Sequence, residues 1–203
     1  MTTLNSMHKH EIIGLAGTNG SGKDTVGGIL AEKHGYLFIS VTDLLRAEAV
    51  RRNQPVEREV LRTISAEWRR ELGLGVLVDK AVAEYEIVKD KYQGVVMASL
   101  RNPGEADRVH EMGGTVVWVD ADAKMRYERV QQNKAARGRA EEDNKTFEQF
   151  LSEEAAEMHT PDGGDAANLN SSGVKDKSDI FIENNGETLV SLKEAVANII
   201  LRN

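Results

Sequence analysis

The chain has 203 residues, 40% hydrophobic and 29% charged, with a formal charge of -7 and an isoelectric point near 5.3. That balance suits one globular domain with a sizeable core, and it speaks against broad electrostatic attraction to nucleic acid or an anionic membrane. Cysteine is absent, which excludes disulfides and thiolate metal ligands, and no run approaches the ~20 apolar residues of a membrane span. The opening MTTLNSMHKH is polar and lacks the apolar stretch of a secretory signal. A cytoplasmic protein, by default a monomer, is the expectation.

Residues 11–16, EIIGLA, form a short, nearly continuous apolar run, as in a strand buried on both faces of a parallel sheet. GTNGSGKDT follows at residues 17–25, and Val26, Ile29 and Leu30 then recur at helical spacing up to His34, with Gly35 at the position of a C-terminal cap. Further strands are expected at 36–40, 94–98, 115–119 and 179–183, with helical patterns between them. Such alternation predicts an α/β sandwich. Residues 42–89 contain no strand pattern and read as two or three helices, a long excursion that is a candidate substrate-binding insertion. Asp122 is placed to cap a helix running to about Gln132, and Thr146 with Gln149 makes a capping box before Phe147, Phe150, Leu151 and Met158. Residues 159–178 are rich in Gly, Ser, Asn and Asp and are expected to form a long loop. A last helix should lay Leu189, Leu192, Val196, Ile199 and Ile200 on the sheet.

Gly17, Gly22 and Lys23 satisfy the GxxxxGK spacing, in which backbone N–H groups curl around phosphate oxygens at a helix N-terminus. Gly17, Thr18, Asn19, Gly20, Ser21, Gly22, Lys23, Asp24 and Thr25 are therefore the expected nucleoside triphosphate cradle, with Lys23 reaching the β and γ phosphates. Asp24 stands where a Ser or Thr usually ligates magnesium, so the metal ligands are left open. A phosphate loop serves kinases, GTPases, motor ATPases and passive binders alike. Arginines narrow the choice, because phosphoryl transfer needs cations that hold the acceptor and neutralise the moving group. Arg46 in VTDLLR lies three residues after Asp43, and Arg101 follows the third strand. MRYERVQQNKAARGR, residues 125–139, supplies Arg126, Arg129, Arg137 and Arg139 and reads as a basic lid, with Gly138 as a source of flexibility. The five histidines have no metal-ligand spacing, and Trp68 and Trp118 fit a core or pocket wall.

Taken together, GTNGSGKDT, TDLLR, LRNPGE, VDADAKMRYERV and DIFIENNGE resemble the successive motifs of the nucleoside monophosphate kinase family, adenylate- and cytidylate-kinase-like, over nearly the whole chain. The resemblance implies a three-layer P-loop sandwich, a five-stranded parallel sheet ordered 2-3-1-4-5, a helical acceptor-binding region at about 41–89 and a short lid at about 130–145. It also implies ATP and Mg²⁺ as cofactors and transfer to a nucleoside or deoxynucleoside monophosphate. Carried over, Lys23 contacts the donor, Arg46 and Arg101 the acceptor phosphate, Arg129 and Asn185 the region of the donor base, and Arg137 or Arg139 the closing lid. The acidic residue that relatives carry where the third strand ends is missing near Ala98 and Ser99, leaving Asp43, Asp120, Asp122 or waters for magnesium. Dephospho-CoA kinase and a nucleotide-binding regulatory protein are the alternatives.

Overall fold

The computed structural model describes residues 11–134, 144–159, 164–186 and 188–200. All five expected strands form: β1 (Ile12–Gly17), β2 (Tyr36–Ser40), β3 (Gly94–Leu100), β4 (Thr115–Asp120) and β5 (Ile180–Glu183). They pair in parallel in the order β2-β3-β1-β4-β5. Every residue of β3 is buried, as its apolar run demands of a strand covered on both faces.

Alternation along the strands sends side chains to two cores. Ile13, Leu15, Val96 and Ala98 meet Val26, Ile29 and Leu30 of α1 (Lys23–His34) on one face. On the other, Val95 and Met97 meet the excursion, which folds as α2 (Val41–Arg51), α3 (Arg58–Leu72) and α4 (Val76–Val88). A fully buried aliphatic side chain contributes about 1.5–3 kcal/mol, so these paired layers supply the main drive to fold. The outer helices are α5 (Pro103–Glu111), α6 (Ala123–Gln132), α7 (Phe147–Met158), α8 (Ser171–Asp176) and α9 (Leu189–Ile200). Among the described residues no helix is long and apolar enough to cross a membrane.

The capping signals work as read: Asp122 accepts from the amides of Lys124 and Met125, and Thr146 and Gln149 close a reciprocal box. The loop expected at 159–178 is a correction. Its described part carries α8, whose Val174 is fully buried, and Ala167 is 2% exposed. Small apolar residues suffice here because long-range polar ties do the anchoring: Asn102 donates through Nδ2 to the carbonyls of Ala166 and Asn168, at 2.7 and 2.9 Å. In α9, Leu192 and Val196 are buried as expected, whereas Leu189 in the first turn is 54% exposed, beyond the edge of the sheet's cover.

Candidate functional site: an anion cradle facing paired arginines

The phosphate loop joins the C-terminal end of β1 to α1. Gly20 and Gly22 adopt φ of 78° and 97°, and a Cβ at Gly20 would sit 2.6 Å from the Arg126 carbonyl oxygen, so the tight curl requires glycine. Three neighbours hold the curl. Thr18 Oγ1 donates to Asp120 Oδ1 at 2.7 Å, Lys23 Nζ donates back to the Thr18 carbonyl at 3.2 Å, and Asn184 Nδ2 donates to the Ser21 carbonyl at 2.9 Å. Among the described residues no side chain caps the N-terminus of α1, which leaves its first N–H groups and the positive end of its dipole for an anion. Two buried polar atoms lack a partner among the described residues, Ser21 Oγ and Arg129 Nη1. Buried orphans of this kind are completed by a water, an ion or a ligand oxygen.

A cleft of about 490 Å³ opens beside the loop, walled by Lys23, Arg46, Arg101 and Arg129. Four cations contributed by α1, α2, the end of β3 and α6 thus reach one space at the C-terminal edge of the sheet, where open α/β folds place ligands. Asn19, Gly20, Gly22, Asp24 and Thr25 line the same cleft. Gly17 and Thr18 instead line a smaller cavity behind the loop, and Ser21 is fully buried beneath it. Arg129 is held by Nη2, which donates to the carbonyls of Asn184 and Gly186 at 2.9 and 3.2 Å. Asn185 accepts from the Asp122 amide at 2.8 Å and ties the start of α6 to the chain after β5.

Arg126, read from sequence as part of a basic lid, is 5% exposed and acts as a strut beneath the loop. Its Nε donates to the Ala121 carbonyl at 2.8 Å, and its guanidinium pairs with Glu154. Helical spacing put Arg126 on one face with Arg129; the packing of α7 against α6 separates their roles. Arg137 and Arg139 lie outside the described residues.

β3 ends in a feature the sequence pattern hides. Leu15 faces Ala98 while Ala16 faces Leu100, so Ser99 is an extra residue, and its φ is 75°. This bulge turns Ser99 into the cleft at the place where the expected acidic residue is missing.

The excursion side is built from ion pairs. Arg46 meets Asp43 at 2.7 Å. Arg69 and Glu105, both almost fully buried, meet at 2.7 Å, and Glu105 also accepts from the Arg101 and Asn102 amides at 2.7 and 3.1 Å, setting the turn after β3. Glu157 on α7 pairs with Arg58, Arg62 and Arg101. Burial opposes its ionisation, but these three guanidinium groups overcome that cost and hold its carboxyl at about 2. The Asn102-to-Glu105 capping spacing was a usable signal for Glu105. Arg58, Arg62, Arg69 and Glu157 carried no signal, since the partners that bring them together lie 36 to 99 residues away.

Carboxylates near the loop divide by use. Asp120 is engaged by Thr18 and the Ala121 amide, and Asp122 caps α6. Asp24 and Asp43 face the cleft, together with the hydroxyls of Thr25 and Ser40. Hard oxygen donors of this sort fit Mg²⁺, which binds through one or two carboxylates, waters and substrate phosphates. His110 pairs with Asp179 and His159 with Ser172, each at 2.9 Å, and Trp68 and Trp118 are 9% and 1% exposed.

A family model described as an AAA domain matches residues 13–151. A UPF0200 protein of Pyrobaculum aerophilum is 30% identical over 194 residues, covering 94% of this chain and 97% of its own. A shikimate kinase of Gloeobacter violaceus is 35% identical over 124 residues, 61% of this chain and 63% of its own. The solved structure of a shikimate kinase from Bacteroides thetaiotaomicron superposes with a TM-score of 0.56 at 14% identity, covering 92% of this chain and 94% of its own. The fold is that of the P-loop kinases.

Proposed function

This chain belongs to the AAA domain family and to the UPF0200 proteins, and from that premise we propose that it transfers the γ-phosphoryl group of ATP to a small anionic acceptor, a nucleoside or deoxynucleoside monophosphate. The observation that carries the reading is the meeting of Lys23, Arg129, Arg46 and Arg101 in one cleft beside an uncapped helix N-terminus. A donor triphosphate needs the first two and the loop amides; a phosphate-bearing acceptor needs the second two, for which a passive binder has no use.

The loop amides and Lys23 would hold the donor phosphates, and the anchored Arg129 would present its free Nη1 to them. Arg46 and Arg101 would orient the acceptor so that its phosphate oxygen attacks in line, and the buried cradle would exclude water that otherwise competes as acceptor. Asp24 and Asp43 would help to hold magnesium in the cleft, where it would supply charge neutralisation. Arg46→Ala tests the assignment: acceptor KM should rise about tenfold or more with ATP affinity little changed. An unaltered acceptor KM would remove Arg46 from the site.

One observation favours a second reading, a small hydroxy acid as acceptor. Three arginines already clasp a carboxylate, that of Glu157, and the Gloeobacter violaceus relative is a shikimate kinase.

A further inference from the structure

Arg58, Arg62 and Arg101 come from two elements of the excursion side, α3 and the end of β3, and converge on one carboxylate. Arg58 Nη2 and Arg62 Nη2 each lie 2.9 Å from Glu157 Oε1, and Arg101 Nη1 pairs with Oε2. Arg58 also meets Glu153 at 2.7 Å, and Arg62 meets the exposed Glu59 at 2.7 Å. A cavity of about 20 Å³ adjoins the cluster, bounded by Thr18 and Asn19 of the phosphate loop on one side and by Arg58, Glu153, Glu154 and Glu157 on the other, so an entering anion needs the space that Glu157 vacates. Arg101 and Asn19 line this cavity and the donor cleft alike. The cluster is therefore next to the place where phosphoryl transfer would occur, and a ligand could contact both.

Glu157 is the penultimate residue of α7, which has other anchors: Phe150 is 2% exposed, and Glu154 grips Arg126. Holding the helix does not need this carboxylate. Arg58 and Arg62 each have a second carboxylate, Glu153 and Glu59, so neither depends on Glu157 alone for its counter-charge. A ligand phosphate brings three oxygens and more charge, and a ligand carboxylate brings the same chemistry as Glu157 itself.

We infer that Arg58 and Arg62 extend the Arg46 and Arg101 site for the anionic group of the acceptor and that Glu157 is the internal plug of this extension, exchanged for that group when the acceptor enters. The exchange keeps the arginines paired in both states, so neither state leaves a buried charge alone. It requires the C-terminal turn of α7 to move away from α3. The inference rests on the phosphotransfer reading only in naming the ligand as the acceptor.

The test is calorimetric titration of the full chain with inorganic phosphate and, separately, with malate, after the donor cleft is filled with a non-hydrolysable ATP analogue and Mg²⁺. Glu157→Gln should bind one of the two anions at least tenfold more tightly than the wild type, and whichever responds distinguishes a phosphate from a carboxylate acceptor. The gain should vanish when Arg58→Gln and Arg62→Gln are added. Unchanged affinity for both anions in Glu157→Gln, or a gain that survives loss of both arginines, would overturn the inference. Hydrogen exchange on the unmodified protein gives an independent readout: the responding anion should speed exchange in residues 147–158, and unchanged protection there contradicts the plug. Failure of the ATP analogue to bind would count against the phosphotransfer reading alone, because the same anion titration can then be run on Lys23→Ala.

Discussion

The two halves of the cleft are made of different material. On the side proposed for the donor the groups are chiefly backbone amides of the loop, which is pinned by Thr18, Lys23 and Asn184 through hydrogen bonds to oxygens of fixed position. On the side proposed for the acceptor they are long charged side chains, each balanced by a carboxylate: Arg46 by Asp43, Arg69 by Glu105, and Arg58, Arg62 and Arg101 by Glu157. A backbone cradle is preorganised and general, so it suits a donor common to many enzymes. Balanced side-chain pairs can exchange partners, so they suit the half that must choose a substrate and change shape around it.

The sharpest way to break this contrast is through the floor of the acceptor half. Glu105→Ala leaves Arg69 buried without a counter-charge, its remaining partners being the neutral oxygens of Ser65 and Ala167, and should cost about 3–5 kcal/mol in urea unfolding; a loss under about 1 kcal/mol would mean that the pair does not hold the turn after β3. The donor half should respond in rate instead of stability. Lys23→Ala is expected to cut turnover on the order of a hundredfold while leaving the urea midpoint near that of the wild type, and undiminished turnover would remove Lys23 from the chemistry.

Acid should sharpen the contrast. Glu157 is held at about 2 in the folded chain against an ordinary 4.5. A depressed carboxyl contributes stability above its unfolded value and loses it as pH falls toward the folded one, so unfolding midpoints should drop between about pH 4.5 and 2. Glu157→Gln should flatten part of that decline; an identical pH profile would show that other carboxylates govern it. The smallest effect belongs to the bulge between the halves. Ser99→Gly relieves a φ of 75° at the cost of chain entropy and should change stability by no more than about 1 kcal/mol, whereas Ser99→Val should lose about 2 kcal/mol. Equal stability of the two variants would mean that the bulge is not strained.

The same contrast explains what was legible in the sequence. The donor half is local: strand, glycine turn, lysine and helix lie between Ile12 and His34, and each carries a propensity or a spacing that can be read directly. The sheet was legible too, because buried parallel strands write continuous apolar runs such as that of β3. Arg101 could be placed because it directly follows such a strand, and Arg46 because the helix that carries it does. The acceptor half depends on contacts between residues far apart in the chain, such as Arg58 with Glu153, and no periodicity encodes a partner 95 residues away. Arg126 was misread for the same reason: its environment is set by Glu154 and Ala121, and not by its own helix face. The segment before β5 was read from composition alone, which missed that Asn102 and the Ala167 carbonyl's bond to Arg69 would order it.

The measurement that tests the account most directly is ADP formation from ATP and Mg²⁺ in the presence of AMP, CMP, UMP, GMP, dTMP, dCMP, shikimate or dephospho-CoA, each against an acceptor-free control. The account predicts turnover that depends on one of the monophosphates; dependence on shikimate would keep the phosphotransfer and shift the acceptor to the hydroxy-acid class, and dependence on dephospho-CoA would identify the alternative kinase. ATP binding with no acceptor-dependent ADP across the whole panel would contradict the account and favour a regulatory nucleotide-binding protein.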